Sequence, residues 1–486
     1  MVGTLLSRTL GLAASVLMAR LLGKQDFGAL GVIQSTLAMF QVFAGLGLGL
    51  TATKYVAELR SKDPERTAHI IALSNCVAVI SGAIVFVSAY LCSTWLAAHS
   101  LAAPRLAPLL RMASFTLLLT ALNGAQIGIL SGFEAFRTIA KVNLIGGLVS
   151  LLLSVVGVIW AGLYGAVAAT LLSTSFVCSL SHFATKSVLE DARIKVHLHY
   201  CLRELPILWK FSLPAVLSGM MVTPVNWISN AWLVQQPNGY SEMAVYSASN
   251  SWRTVLMFLP MLLTQVSLPM LSSTNAKSTN DDFRKTLNMS QSIMVSISFP
   301  VATVLMLIAE PVLKLYGNDF GSGQTVLVGV VFTGLIQCIG AAAGPAIEAK
   351  GRMWAAMSIN WSWAAMYLAF VYATVEQYGA NSLAYSSAGA YVLLTIGAFI
   401  YIRKDLPDGM FRRIFLALAS ALLLAGGCIL TPLKVRPFFV MPAAVLSALV
   451  AVAYLSDRKL VREAMAAPTG RRTAVPTGSA RSITDN

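Results

Sequence analysis

Charge is scarce in this chain. Only 11% of its 486 residues are Asp, Glu, Lys or Arg, against roughly 25% in a soluble domain. A shortfall of that size excludes an ordinary water-soluble fold. No hydrophilic stretch is long enough to fold as a separate soluble domain. The longest predicted outer loop, around His99 to Pro108, holds no acidic residue, which argues against a glycan polymerase, a glycosyltransferase or another membrane enzyme with an acid–base centre. Cysteine chemistry is lacking too. Cys76, Cys92, Cys178, Cys201, Cys338 and Cys428 form no CxxC pair, and most lie in apolar runs, where Cys behaves as a small hydrophobe. No disulfide, metal site, cofactor or thiol catalysis is expected. Carboxylates at depth are also missing. Glu134 and Glu348 fall at one end of their apolar runs, Glu310 and Glu376 at the other, and the remaining acids lie in loops or near run ends. An exporter coupled to protons, sodium or cationic drugs would need an acid inside the membrane.

What the chain does have is apolar length. Hydrophobic residues make up 57% of it, and mean hydropathy is +0.72. Runs of about 20 apolar residues, enough for a hydrocarbon core of ~30 Å, recur throughout and predict about fourteen transmembrane helices. The net charge is +15. Most Lys and Arg fall in alternate loops: Lys54 to Arg66, Arg137 and Lys141, Lys186 to Lys210, Lys277 to Lys285, Lys350 and Arg352, Arg403 to Arg413, and the C-terminal tail. That is the positive-inside bias rather than a nucleic-acid surface, and it predicts that both termini are cytoplasmic. Arg20, Lys24, Arg105 and Arg111 break the bias on the predicted outer side.

The chain also repeats itself. A shift of 216 residues puts Asp26 on Glu242, Ser35 on Ser251, Ser74 on Ser290, Gly124 on Gly340 and Gly128 on Gly344. Matched spans, loops and polar positions imply an all-α membrane protein of two similar six-helix bundles. An even number of spans per copy makes the copies parallel, related by a pseudo-twofold axis along the membrane normal, with a substrate site at their interface. The predicted division is 1–184 for the first bundle, 185–210 for a cytoplasmic interfacial linker, and 211–402 for the second bundle. Residues 403–456 give two extra transmembrane helices, and 457–486 a disordered tail.

Several segments resemble a known family. TLLSRTLGLAASVLMARLLGKQDFGALGVIQS is similar to the opening of polysaccharide-export and oligosaccharide-flippase (Wzx-like) proteins, where SRxLG leads to ARxLGxxxFG. LRELPILWKFSLPAVLSGM resembles their seventh span, EMAVYSASNSWRTVLMFLPMLLTQVSLPMLSS their eighth, and EPVLKLYGNDFGSG their outer loop between spans nine and ten. These matches cover most of residues 1–355. The resemblance implies the V-shaped, MATE-like fold of the multidrug and oligosaccharide exporter superfamily, alternating access and a cationic central cavity. It also implies a bacterial inner-membrane location. The implied substrate is an undecaprenyl-pyrophosphate-linked oligosaccharide for O-antigen, capsule or exopolysaccharide synthesis. Implied partners are membrane lipids, a polysaccharide polymerase and glycosyltransferases. Peptidoglycan lipid II flippases share SRxLG but carry a second Arg six residues later, where this chain has Ala14. That departure weakens a lipid II assignment. The alternative function is a cation-coupled multidrug exporter of the same superfamily.

The candidate substrate-binding residues follow from depth. Arg8 precedes Arg20 by twelve residues, which places it roughly 18 Å below the predicted outer face at 1.5 Å per residue. Arg253 follows Glu242 by eleven and sits comparably deep. Neither has an acid within one helical turn. Guanidinium groups there suit a wet cavity and bidentate phosphate contact. The competing readings are a cytoplasmic-interface position for Arg8 and a structural hydrogen bond to a backbone carbonyl for Arg253. Asn250 and Asn226, with Trp227, and Gln34, Gln41, Asn123, Gln126 and Gln265 are candidates for binding sugar hydroxyls, or else helix–helix glue.

Overall fold

A computed structural model describes residues 2–45, 48–194, 220–258, 260, 280–350, 352–407, 409–430 and 436–455. The first half comprises α1 (Val2–Gly45), α2 (Leu48–Leu59), α3 (Pro64–Trp95), α4 (Ala107–Gly132) and α5 (Phe136–Asp191). The second comprises α6 (Val222–Val234), α7 (Gly239–Leu256), α8 (Asn280–Leu307), α9 (Ala309–Lys314), α10 (Gln324–Gly340), α11 (Ala343–Ala349), α12 (Met353–Tyr378) and α13 (Ala380–Tyr401). Two further helices, α14 (Met410–Leu430) and α15 (Arg436–Leu455), pack on α10 and α8 of the second half. The start of α3 shows how local sequence sets these bounds. Asp63 accepts the Arg66 backbone N–H at 2.9 Å while Pro64 takes the first helical position, where its missing N–H costs nothing.

Among the described residues, eight helical stretches are long and apolar enough to cross a membrane. That differs from the fourteen separate spans expected from hydropathy, for two reasons. Spans predicted over 211–234 and 243–271 fall partly outside the described residues. Some long helices also contain their own breaks. The 56-residue α5 turns at Ala161 and Gly162, where Gly162 adopts φ 54° and ψ −130°. A Cβ on Gly165 would lie 1.7 Å from the Gly157 carbonyl oxygen, and one on Gly146 would meet Val177 at 2.6 Å. Residues eight apart in a straight helix stand ~12 Å apart, so α5 is a hairpin of two antiparallel arms. α1 breaks similarly at Gly23, φ 76° and ψ 172°.

The halves correspond element by element. Gly379, between α12 and α13, has φ 52° and ψ −128°, nearly the values at Gly162. Both sit in the left-handed region that glycine tolerates, 217 residues apart. α4 (107–132) corresponds to α10 and α11 (324–349), the first arm of α5 to α12, and Gly23 to the Gly239 start of α7. The repeat detected over residues 26–128 thus continues through the hairpin. The two halves are each a helical bundle, and they meet along a seam where α1 packs on α6 and α7.

The buried positions of these helices are rich in Ala, Gly and Ser, whereas Trp160, Leu91, Leu152 and Phe183 point outward. Small residues at helix contacts let backbones approach closely in lipid, while large side chains such as Trp363, Tyr367 and Phe299 fill the interior. α5 runs on to Asp191, so the first residues of the predicted linker continue its second arm. Residues 195–210 of that linker, the tail 457–486, Gln265 and Cys201 lie outside the described residues.

Candidate functional site

A cavity of about 480 Å³ opens in the seam. From the first half, α1 contributes Gly11, Ser15, Gln34 and Ser35; from the second, α6 contributes Asn226, Trp227 and Asn230, and α7 contributes Asn250, Arg253 and Thr254. Helical spacing explains the convergence. Thr223, Asn226 and Asn230 stand three and four apart, as do Ser247, Asn250, Arg253 and Thr254, so each set forms a polar stripe on one face. The wall is hydroxyl- and amide-rich and holds the aromatic rings of Phe27, Trp227 and Tyr246; among the described residues it carries one charge, Arg253, and no carboxylate.

Four of the predicted binding residues, Gln34, Asn226, Asn250 and Arg253, meet in this wall. Arg253 lies fourteen residues beyond Gly239, about 21 Å along α7 at 1.5 Å per residue. Its Cγ would be 3.0 Å from a Cβ at Gly334, so its stem lies against α10. The alternative reading of Arg253, a structural bond to a backbone carbonyl, finds no support among the described residues, where it makes no hydrogen bond or ion pair. The Asn250 side-chain oxygen and the Ser35 hydroxyl are buried without a hydrogen-bond partner there as well. Asn226 donates to the Val222 carbonyl at 2.8 Å, and Trp227 Nε1 donates to Thr36 Oγ1 at 3.0 Å across the seam.

Arg8 takes a different place. It is not in the cavity wall; it continues the Gly11–Ser15 face one turn further on, and its guanidinium lies 5.2 Å from the centroid of the Phe258 ring at the far end of α7. Both arginines therefore sit at the seam, one in the cavity and one beneath it. Gln126 and Asn123 are placed elsewhere. Gln126 is buried inside the first bundle, near the Cys178 thiol, and lines a separate cavity with Asn75 and His182. Asn123 accepts a hydrogen bond from Ser181 at 2.7 Å, which is glue between α4 and α5. Residue count along a helix sets their depth but not their azimuth. Replacing Gln126 with Ala is expected to change transport by less than about twofold, whereas loss of an amide in the seam wall should cost more; measuring transport in both variants checks this placement.

Hydrogen bonds joining the halves gather toward the end bearing Gly23, Gly162 and Gly379, predicted to be the outer face. Gln235 donates to the Ser100 carbonyl at 2.8 Å, and Tyr240 to the Leu101 carbonyl at 2.7 Å. Burial pushes the Tyr240 phenol up to about 12, against the opposing effect of the Arg105 charge, so it remains a donor across ordinary pH. A Cβ on Gly28 would fall 1.8 Å from the Tyr240 carbonyl oxygen; glycine is what lets α1 and α7 touch there. On the opposite side, Arg60 pairs with Glu134 at 2.7 Å, and Lys350 with Asp405. Each of these ion pairs stays within one half, so neither ties the bundles together. Among the described residues, no cluster of His, Cys, Asp or Glu is arranged to hold a metal ion.

The chain is similar to known proteins along most of its length. A family model described as polysaccharide biosynthesis protein matches residues 17–322. The EPS I polysaccharide export inner membrane protein EpsE of Ralstonia nicotianae is 23% identical over 403 residues, covering 80% of this chain and 89% of that protein. The protein of the same name from Ralstonia solanacearum is 23% identical, with 82% and 91% covered. Among solved structures, an inward-facing multidrug resistance MATE family transporter of the MOP superfamily superposes with a TM-score of 0.68 at 16% identity, over 84% of this chain and 95% of that one. The lipid II flippase MurJ in an inward closed conformation gives 0.65 at 16% identity, over 95% and 99%. Likeness at such identity establishes a shared two-bundle fold.

Proposed function

Given that the chain belongs to the polysaccharide biosynthesis protein family, we propose that it is an inner-membrane flippase for an undecaprenyl-pyrophosphate-linked oligosaccharide, working by alternating access. The observation that carries this reading is the seam cavity, where among the described residues the only charge is Arg253 and the remaining polar groups are amides and hydroxyls. Arg offers phosphate a planar, bidentate donor. Asn and Ser suit sugar hydroxyls, and the rings of Trp227 and Tyr246 suit the apolar faces of sugars. The prenyl tail stays in lipid at the seam while the head group rests in the cavity. Both termini face the cytoplasm in this reading, and the cavity loads from that side with the outer end of the seam closed. The chain then acts as a transporter rather than an enzyme, supplying lipid-linked glycan to polymerase and glycosyltransferase partners.

A cation-coupled multidrug exporter is the competing function. The fold accommodates it equally well, but among the described residues the cavity wall lacks the carboxylate that cationic cargo would need. Deleting the gene discriminates between them. The proposal expects undecaprenyl-pyrophosphate-linked repeat units to accumulate unflipped, with surface polysaccharide lost and drug susceptibility unchanged. Drug hypersensitivity with normal polysaccharide would overturn it.

A further inference from the structure

Three basic side chains converge at the Gly23 end of the seam, apart from the central cavity. Arg20 and Lys24 flank the break in α1, and Lys314 closes α9; with Tyr316, Asn318 and Asp319 they line a second cavity of about 370 Å³. Arg20 Nε donates to the Leu315 carbonyl at 2.6 Å. Lys24 Nζ lies 3.4 Å from the Asp319 backbone carbonyl oxygen and 6.0 Å from the centroid of the Phe320 ring. Among the described residues neither cation pairs with a carboxylate, while Lys314 pairs with Glu310 at 2.7 Å, one turn away on its own helix. The Asp319 side chain sits in the same wall and offsets part of the positive charge.

Two features of this arrangement point to a ligand. Both carbonyl acceptors belong to the other half of the protein, so the Arg20 and Lys24 contacts exist only while the seam is closed. Both acceptors are also neutral, and a phosphate oxygen would add to each bond a charge–charge attraction that a carbonyl lacks. The cations lie where the positive-inside bias disfavours them, and Arg20 is exposed, so packing does not account for its charge.

We infer that Arg20, Lys24 and Lys314 form a second anion site for the phosphorylated head group of a lipid, and that its occupation displaces the Leu315 and Asp319 carbonyls and lets the outer seam part. The inference takes its direction, release at the outer face, from the flippase reading; the site itself is tested separately. The full chain, its native cysteines replaced, is spin-labelled at His99→Cys and Gln377→Cys, one exposed position in each half. One arm titrates inorganic pyrophosphate onto protein in phosphatidylcholine nanodiscs. The other raises phosphatidylglycerol in the discs without pyrophosphate. Lengthening of the inter-label distance in the first arm identifies a pyrophosphate site, and in the second a phosphodiester site. Either result supports the inference when Arg20→Gln with Lys24→Gln raises the half-saturating level about tenfold, because glutamine keeps a donor for each carbonyl but removes the charge. No lengthening in either arm, or lengthening undiminished in the double variant, overturns it. Loss of the response in Arg253→Gln alone also overturns it, by locating the anion in the central cavity. A deletion strain that accumulates no lipid-linked glycan would sink the flippase reading and leave this readout intact.

Discussion

Arg253→Ala is expected to cut glycan export by at least about tenfold, with the protein still present at normal levels in the membrane. A hydrogen bond to a charged group is worth about 1.5–3 kcal/mol, equivalent to roughly ten- to a hundredfold in rate or affinity. Among the described residues Arg253 is the single cation in the wall of the seam cavity, so no described neighbour in that wall can replace its charge. Alanine also removes the stem that lies against Gly334. Arg253→Gln separates these effects, because it retains most of the stem. It should fall nearly as far as alanine if charge is the operative property. Arg253→Lys should keep part of the activity, since an ammonium offers a point charge without the planar fork. Asn250→Ala, which removes one neutral amide from the same wall, should cost only a few-fold. Surface polysaccharide and the pool of lipid-linked intermediate, measured together, check the series. An Arg253→Gln variant exporting at the parental rate would remove the cation from the mechanism.

Fixing the outer end of the seam should stop transport almost completely. Tyr240 and Leu101 come from opposite halves and are joined at 2.7 Å, with Gln235 and Ser100 beside them. Alternating access requires these contacts to break, whichever solute is carried. In a variant without native cysteines, Leu101→Cys and Tyr240→Cys bridged by a short cleavable bis-thiol reagent should lose export by more than about tenfold, and recover when the bridge is reduced. A bridge between Arg60→Cys and Glu134→Cys is the control. That pair is in contact at 2.7 Å within one half, so holding it should leave export intact. Continued export with the Leu101–Tyr240 bridge in place would mean that the seam does not open there.

Much of the architecture could be read from the chain because it is written in period and spacing. The match of Asp26 to Glu242 anticipated the pairing of Gly23 with Gly239, and the gap between apolar runs 142–161 and 164–184 fell on the reversal at Gly162. The cavity was only partly legible. Depth along a helix follows from residue count, and it placed Arg253 and Asn250 at the level of the cavity. Azimuth follows from packing partners that a single sequence does not reveal, so Gln126, at a suitable level on α4, proved to face the interior of its own bundle. Arg8 shows the same limit over one turn, lying under the cavity rather than in its wall. Asn230, Tyr246, Ser247 and Thr254 were passed over, although their spacing from Asn226 and Asn250 carried the signal. Polar residues three or four apart form a stripe, and a stripe of that kind in a membrane helix marks either a partner helix or water. The basic and apolar mixture after Thr185 resembles an interfacial helix, but the arm of α5 continues to Asp191 because nothing in it breaks a helix.

The central claim is that a pyrophosphate-bearing lipid lodges against Arg253 in the seam. The most direct measurement is protection of a thiol placed next to that residue. Thr254 is exposed in the cavity wall, so Thr254→Cys in an otherwise cysteine-free chain should react readily with a small maleimide. Undecaprenyl-pyrophosphate-linked glycan should slow that labelling at least about fivefold, undecaprenol should not, and adding Arg253→Gln should abolish the protection. Labelling that the phosphorylated lipid leaves unchanged, or protection that survives Arg253→Gln, would contradict the claim.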